Sequence, residues 1–229
     1  AHKGGMHVDG VNKNPASFEH IPPETVGNKR NILLSEVAGR GAVIKKLSHL
    51  DHSITKDSPQ AQEMVELLKN KELEGYQFES ASASLELLIL KRLGRFTPFF
   101  HIEHFKIIGE REQDKSAPSS AMVKIKVGDQ YEITADEGNG PVHALDKAMR
   151  KALEVFYPAL SHMRLIDYKV RDMETHQATA AKVRVLIEST DGQNVWTTIG
   201  VSTDVINASA TALSDSIEYK LYKDAHPDK

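Results

Sequence analysis

The sequence predicts an α+β fold, helical linker subdomains followed by a domain of two βββα repeats, and three observations predict it. Val123, Ile125 and Val127 alternate with Lys124, Lys126 and Gly128, the period-two pattern of a half-buried strand. A turn, Gly138-Asn139-Gly140-Pro141, then leads into a stretch whose apolar residues follow helical spacing. The pattern also recurs. Ala181, Val183, Val185 and Ile187 repeat the first strand at an offset of sixty, and Thr198, Ile206, Ala208 and Ala212 follow Thr134, Val142, Ala144 and Ala148 at sixty-four. The change of offset predicts a longer hairpin turn, Ser189-Thr190-Asp191-Gly192, in the second copy.

Along the chain, residues 1–37 hold Gly4, Gly5, Gly10, Pro15, Pro22, Pro23 and Gly27, too many for long regular elements, although Met6–Lys13 suits a short helix. Ala42–Leu50 reads as a helix with Val43, Ile44 and Leu47 on one face. Ser58-Pro59 starts another, with proline where its missing N–H costs nothing. Ala61, Met64, Leu67 and Leu68 form its stripe, the charged run Lys69–Glu74 is its solvated end, and Gly75 terminates it. Ser80–Leu93 reads as a helix carrying Ala81, Leu85, Leu88 and Ile89, closed by Gly94.

Phe105–Glu112, Ala121–Gly128 and Gln130–Asp136 read as strands, followed by a helix from Pro141 to about Tyr157 that buries Val142, Leu145, Met149, Ala152 and Phe156. Leu165–Met173, Thr179–Ser189 and Asn194–Val201 read as three more, followed by a helix from about Asp204 to Leu221. The expected divisions are 1–56, 57–103 and 104–224, the last made of units 104–157 and 164–222. One helix covers one face of a three-stranded sheet, so each unit must cover the other or a partner chain must. A homodimer is therefore expected.

Composition narrows the function classes. The 229 residues are 40% hydrophobic and 27% charged, ordinary for a soluble globular protein. A net charge of −3 is no basic footprint for nucleic acid. No apolar run reaches the roughly 20 residues that span a membrane, and no stretch has the pattern of a signal peptide. The absence of cysteine removes disulfides and thiolate chemistry and fits a cytoplasmic chain. The chain starts at Ala1 in what reads as the middle of a motif, and is expected to be a piece of a longer protein.

Two helix starts are candidate binding sites. Gly138-Asn139-Gly140-Pro141-Val142 aims the N–H groups of a new helix past the strand end, which suits an anion, although the motif taken alone reads first as a tight turn with no ligand. Gly200-Val201-Ser202-Thr203 opens the second helix with hydroxyls. Together the two ends would hold a small carboxylate, with Val142, Val201 and Ile206 offering apolar surface. His2 and His7 lie in a Gly-rich stretch with no carboxylate at a helical metal spacing beside them, so no metal site is assigned to this chain. His101-Ile102-Glu103-His104 reads as a solvated connector, and Arg40 as a capping or surface residue.

The segments His2–Val11, Glu19–Asn28 and Leu34–Arg40 resemble the region that follows the barrel in the 2-isopropylmalate synthase and citramalate synthase family. Glu74–Glu79, Gly138–Leu145 and Trp196–Ser202 resemble its citramalate branch in particular. The resemblance implies a parent acyltransferase that condenses acetyl-CoA with a 2-oxo acid, pyruvate in the citramalate branch of isoleucine biosynthesis. The divalent metal ion sits in a TIM barrel that this sequence does not contain, so the chain by itself is expected to be inactive. It further implies a regulatory domain that binds a branched-chain amino acid, isoleucine or leucine. His7 falls where a family histidine reaches the neighbouring subunit's active site, and Arg30 stands near where some members carry a tyrosine. The alternatives are a 2-isopropylmalate or homocitrate synthase parent, or a non-enzymatic amino-acid-binding dimerisation module.

Overall fold

The computed structural model describes Thr25 and residues 58–109, 118–173 and 181–227. His2, His7, Arg30, Arg40 and the helices expected at Met6–Lys13 and Ala42–Leu50 lie outside the described residues. The chain divides into two units, Ala1–Ser80 and Ala81–Lys229.

In the first unit, helix α1 spans Pro59–Glu74. Its start follows from Ser58, whose hydroxyl accepts the N–H of Ala61 at 3.3 Å, with proline in the first turn. It stops at Gly75, which turns left-handed (φ 114°) so that Gly75 and Tyr76 donate to the carbonyls of Glu72 and Lys71. Ala61, Met64 and Leu68 are buried, and Leu67 is half-buried.

The second unit opens with helix α2 (Ser82–Arg92), ended by Gly94 in the left-handed region (φ 66°). Leu87 is fully buried while Leu88, expected on the stripe, is half-buried. The sequence places this helix in the linker, yet it belongs to the C-terminal unit because its polar side chains bond there. The Ser84 hydroxyl donates to Asp215 at 2.8 Å and accepts the N–H of Ile199 at 3.0 Å, while Lys91 meets Asp215 and Glu86 meets Lys223. The edge of a sheet thereby gains a covering helix.

Six strands follow in two antiparallel sheets. The first has the order β1 (His101–Gly109), β2 (Ser119–Val127), β3 (Gln130–Gly138), and the second has β4 (Arg164–Asp172), β5 (Val183–Thr190), β6 (Val195–Ser202). Helix α3 (Pro141–Glu154) lies on β2 and β3, and helix α4 (Val205–Ala225) on β5 and β6. The two βββα units are thus as expected, with α3 ending three residues early before a 3-10 turn at Pro158–His162, and α4 running four residues longer.

Two corrections concern register. His101–His104 is the start of β1: His101 pairs with Lys126 and Ile102 with Ile125. An irregularity between Ile102 and His104 interrupts the alternation there, which hides the strand from a period-two reading. The same irregularity lies between Leu165 and Asp167 in β4. The hairpins, moreover, do not differ in length. Thr134 pairs with Val123 and Thr198 with Ile187, and Asp191 closes on Asn194 where Val127 pairs with Gln130, so the offset is sixty-four from the second strand onward. Val123 therefore corresponds to Ile187, not Val183; apolar alternation alone permits a slip of four because it preserves the buried face.

One apolar cluster joins both repeats: Val123, Ile125, Leu145 and Met149 from the first, Val185, Ile187, Leu213 and Ile217 from the second. Each sheet is tied to its helix by the same bond, Thr134 Oγ1 to the carbonyl of Ala148 and Thr198 Oγ1 to that of Ala212, both at 2.7 Å. Phe156, expected in the core, is half-buried, and Leu153 and Leu160 take the buried places. Trp196 is buried with its indole N–H donating to Ser216.

Candidate functional site

The two helix starts occupy equivalent positions but differ in chemistry. Gly140 precedes α3 with φ 138° and ψ 166°, a conformation open to glycine, and no side chain caps that end. Space around it is open: a Cβ on Gly140 would meet nothing within 4 Å. Asn139 donates its N–H to His143 Nδ1 at 3.2 Å, and Lys147 reaches the carbonyl of Glu137 at 2.7 Å, fixing the strand end to the helix. The Lys147 ammonium bonded to Asp136 holds that carboxyl below its usual range.

Asp204 stands where Gly140 does in the first repeat. Its carboxylate accepts the N–H of Ile206 at 2.7 Å and of Asn207 at 3.2 Å, so α4 begins on its own anion. Ser202 Oγ accepts the N–H of Asp204, and Thr203 is an exposed bend outside the helix. Of the two ends, then, that of α3 has no carboxylate of its own for a ligand's carboxylate to face.

The glycines preceding these ends serve packing. A Cβ on Gly138 would come within 2.4 Å of the Ala144 nitrogen, and one on Gly200 within 1.9 Å of the Ala208 oxygen. Both helices press onto the strand at those points, which any side chain would prevent. Pro141 is exposed at the first helical turn. Val142 and Ile206 are half-buried against the shared core. Val201 pairs with Arg184, and since Thr198 on the same strand bonds α4, Val201 lies on the opposite face of the sheet from the helix. The structure therefore separates Val201 from Ile206, which the sequence pattern puts on one apolar surface.

A concave site is absent from the sequence expectations. A groove of about 1050 Å³ is lined by the β5–β6 turn, Trp196, Tyr219 and the end of α4. Within it Lys220, only 11% exposed, bridges Asp191 at 2.9 Å and Asp224 at 2.6 Å. Burial raises the Asp191 carboxyl, but the N–H groups of Asn194 and Gln193 and the Lys220 ammonium outweigh it and hold it well below the usual range. Burial pushes the Tyr219 hydroxyl up, with Glu86 adding to the shift. The one sequence signal is Lys220 and Asp224 at helical spacing, which reads as a solvated pair. Nearby, burial pushes the Glu218 carboxyl up to about 7 against the opposing N–H of Phe99, which bonds both its oxygens at 3.1 and 3.2 Å. Among the described residues no three His, Asp or Glu side chains are grouped to hold a metal ion, and no helix is long and apolar enough to cross a membrane.

Comparison with known proteins adds to this geometry. The Homocitrate synthase post-HMGL domain-like family matches residues 1–74, and the LeuA allosteric (dimerisation) domain matches residues 79–221. The (R)-citramalate synthase of Aquifex aeolicus (strain VF5) is 50% identical over 98% of this chain and 43% of its own length. That of Geobacter sulfurreducens is 46% identical over 97% of this chain and 42% of its own. The 2-isopropylmalate synthase of Dictyoglomus turgidum is 28% identical over 93% of this chain and 39% of its own. The chain thus spans less than half the length of these relatives, and the resemblance read from the motifs, with its lean toward the citramalate branch, agrees with the comparisons. With two βββα repeats inside the matched span, the chain belongs to the family of the LeuA allosteric (dimerisation) domain.

Proposed function

We propose that this chain is the linker and feedback-regulatory region of an acetyl-CoA-dependent acyltransferase that condenses acetyl-CoA with pyruvate to citramalate. The observation that carries the reading is 40–50% identity to (R)-citramalate synthases over nearly the whole chain, against 27–30% to 2-isopropylmalate synthases. The parent works as a homodimer, with its divalent metal and the base for enolisation in the part of the protein that this sequence does not include. His7 acts from one subunit on the active site of the other.

In this reading the effector is a branched-chain amino acid, isoleucine for a citramalate branch. Its carboxylate sits at the uncapped start of α3, where unpaired N–H groups and the helix dipole favour an anion by about 0.3–1 kcal/mol when exposed and up to ~2 when partly buried. Gly138, Asn139, Gly140 and Pro141 shape that end and Val142 borders it. On the α4 side Ile206 offers apolar surface, but there is no second anion hole, since Asp204 already fills the start of α4. Burial of a branched side chain adds roughly 1.5–3 kcal/mol.

Calorimetric titration of the chain with isoleucine, leucine and alanine tests this. Saturable heat with isoleucine, weaker with alanine and lost in Gly140→Asp, is expected. No heat with any of the three would remove the effector role, and heat unchanged in Gly140→Asp would move the site elsewhere. In the same preparation, release of thiol from acetyl-CoA with pyruvate and a divalent metal above the buffer rate would overturn the reading that the chain is only the regulatory part.

A further inference from the structure

The outward faces of the two sheets have parted in chemistry. On the first, cross-strand pairing aligns His101 with Lys126, His104 with Lys124 and Lys106 with Met122. Tyr131 lies opposite Lys126 and Ile133 opposite Lys124 on the neighbouring strand. Lys124 and Lys126 both stand over the Tyr131 ring, at 4.6 and 5.5 Å from its centroid. Among the described residues, none of Lys106, Lys124 and Lys126 has an ion-pair partner. Glu137, paired with Ser120 at the far end of the face, is the one carboxylate that the outward rows of β2 and β3 carry.

The second sheet carries both signs on the same face, with Asp167 opposite Glu188 and Arg171 opposite Arg184. Asp167 and Glu188 replace His104 and Lys124, Asp167 pairs with Lys169, and Val195 replaces Tyr131. Like charges two residues apart on one strand face repel each other. On the first sheet Lys124 and Lys126 keep that repulsion with no ion-pair partner among the described residues, which is the arrangement of a face completed by negative charge from outside.

Shape and apolar content decide the kind of partner. Ile108, Ile133 and Tyr131 are 59%, 60% and 50% exposed, spread among the lysines. The three strands offer a flat surface about 10 Å across, whereas small ligands favour concave sites. Aromatic and apolar anchors amid complementary charge mark a protein interface. We propose that the outward face of the first sheet docks an acidic polypeptide segment, its carboxylates on Lys106, Lys124 and Lys126 and its apolar side chains on Tyr131 and Ile133.

The test uses the full chain and a fluorescein-labelled peptide of alternating glutamate and leucine, read by anisotropy at about 50 and 200 mM salt, concentrations that differ about twofold in screening length. Saturable binding that weakens with salt, falls at least tenfold in K124E/K126E and is unchanged in R184E on the second sheet is expected. K124Q/K126Q, checked for an unchanged melting temperature, gives the same loss should the charge reversal disturb folding. Absence of saturable binding at low salt, or equal binding by the variants, overturns the proposal. So does tighter binding of oligothymidylate than of the peptide, or a drop in oligomer mass by light scattering in K124Q/K126Q, which would make the face a contact between copies of this chain.

Discussion

Gly140 and Asp204 stand at the same position of the two repeats and start their helices in opposite ways: Asp204 places a carboxylate on the first N–H groups of α4, and Gly140 places nothing on those of α3. Asp204→Ala removes a cap and is expected to cost about 1 kcal/mol, within the 0.5–2 kcal/mol range of N-caps. Gly140→Ala meets no atom but forces a side chain into positive φ, costing roughly 1–3 kcal/mol. Thermal unfolding of the two variants measures both; an Asp204→Ala melting temperature equal to that of the unmodified chain would contradict the cap.

Gly138 and Gly200 are expected to tolerate no side chain. Overpacking a tight contact costs typically 1–3 kcal/mol, and the 1.9 Å approach at Gly200 is to backbone, which gives less readily than a side chain. Denaturant titration should show Gly200→Ala losing at least as much stability as Gly138→Ala. A loss below about 0.5 kcal/mol, the ordinary range of surface changes, would show that α4 shifts freely on β6.

Glu218 makes the stability of the C-terminal unit depend on pH near neutrality. Its carboxyl holds a proton up to about 7 in the fold, against 4.5 as the ordinary value. The folded state then binds the proton more tightly than the unfolded one, so this contribution is full below pH 4.5 and is lost as pH rises through 7. At about 1.4 kcal/mol for each pH step of one between those two values, its size is about 3 kcal/mol. Glu218→Gln, which stays neutral, should flatten the stability profile between about pH 5 and 8. An identical slope in the variant would assign the dependence to other groups.

His7, restored to the full-length parent, is expected to contribute general acid–base help of about 10²–10⁴ in rate. His7→Ala should lower kcat in that range while light scattering shows the dimer intact. Unchanged kinetics would remove His7 from the mechanism.

The sequence by itself determined the two βββα units, because period-two and period-3.6 burial are written in residue types: Val123 and Ile125 on the strand, Leu145 and Met149 on the helix. It also determined the ends of α1, since Ser58-Pro59 and Gly75 act through local backbone chemistry. The register was decided only in the tertiary structure. Strand alternation is unchanged by a slip of four, and the pairing of Ile187 with Thr198 and the closure of Asp191 on Asn194 choose among the slips. The assignment of α2 to the C-terminal unit needed Asp215 and Ile199, more than a hundred residues away in the chain, to be brought beside Ser84. The candidate site divides the same way. The glycine and aspartate at the two helix starts are legible as residue types, but which end is filled, which face Val201 takes and where Lys220 finds Asp191 depend on side chains meeting across the fold, and local patterns carry no record of those meetings.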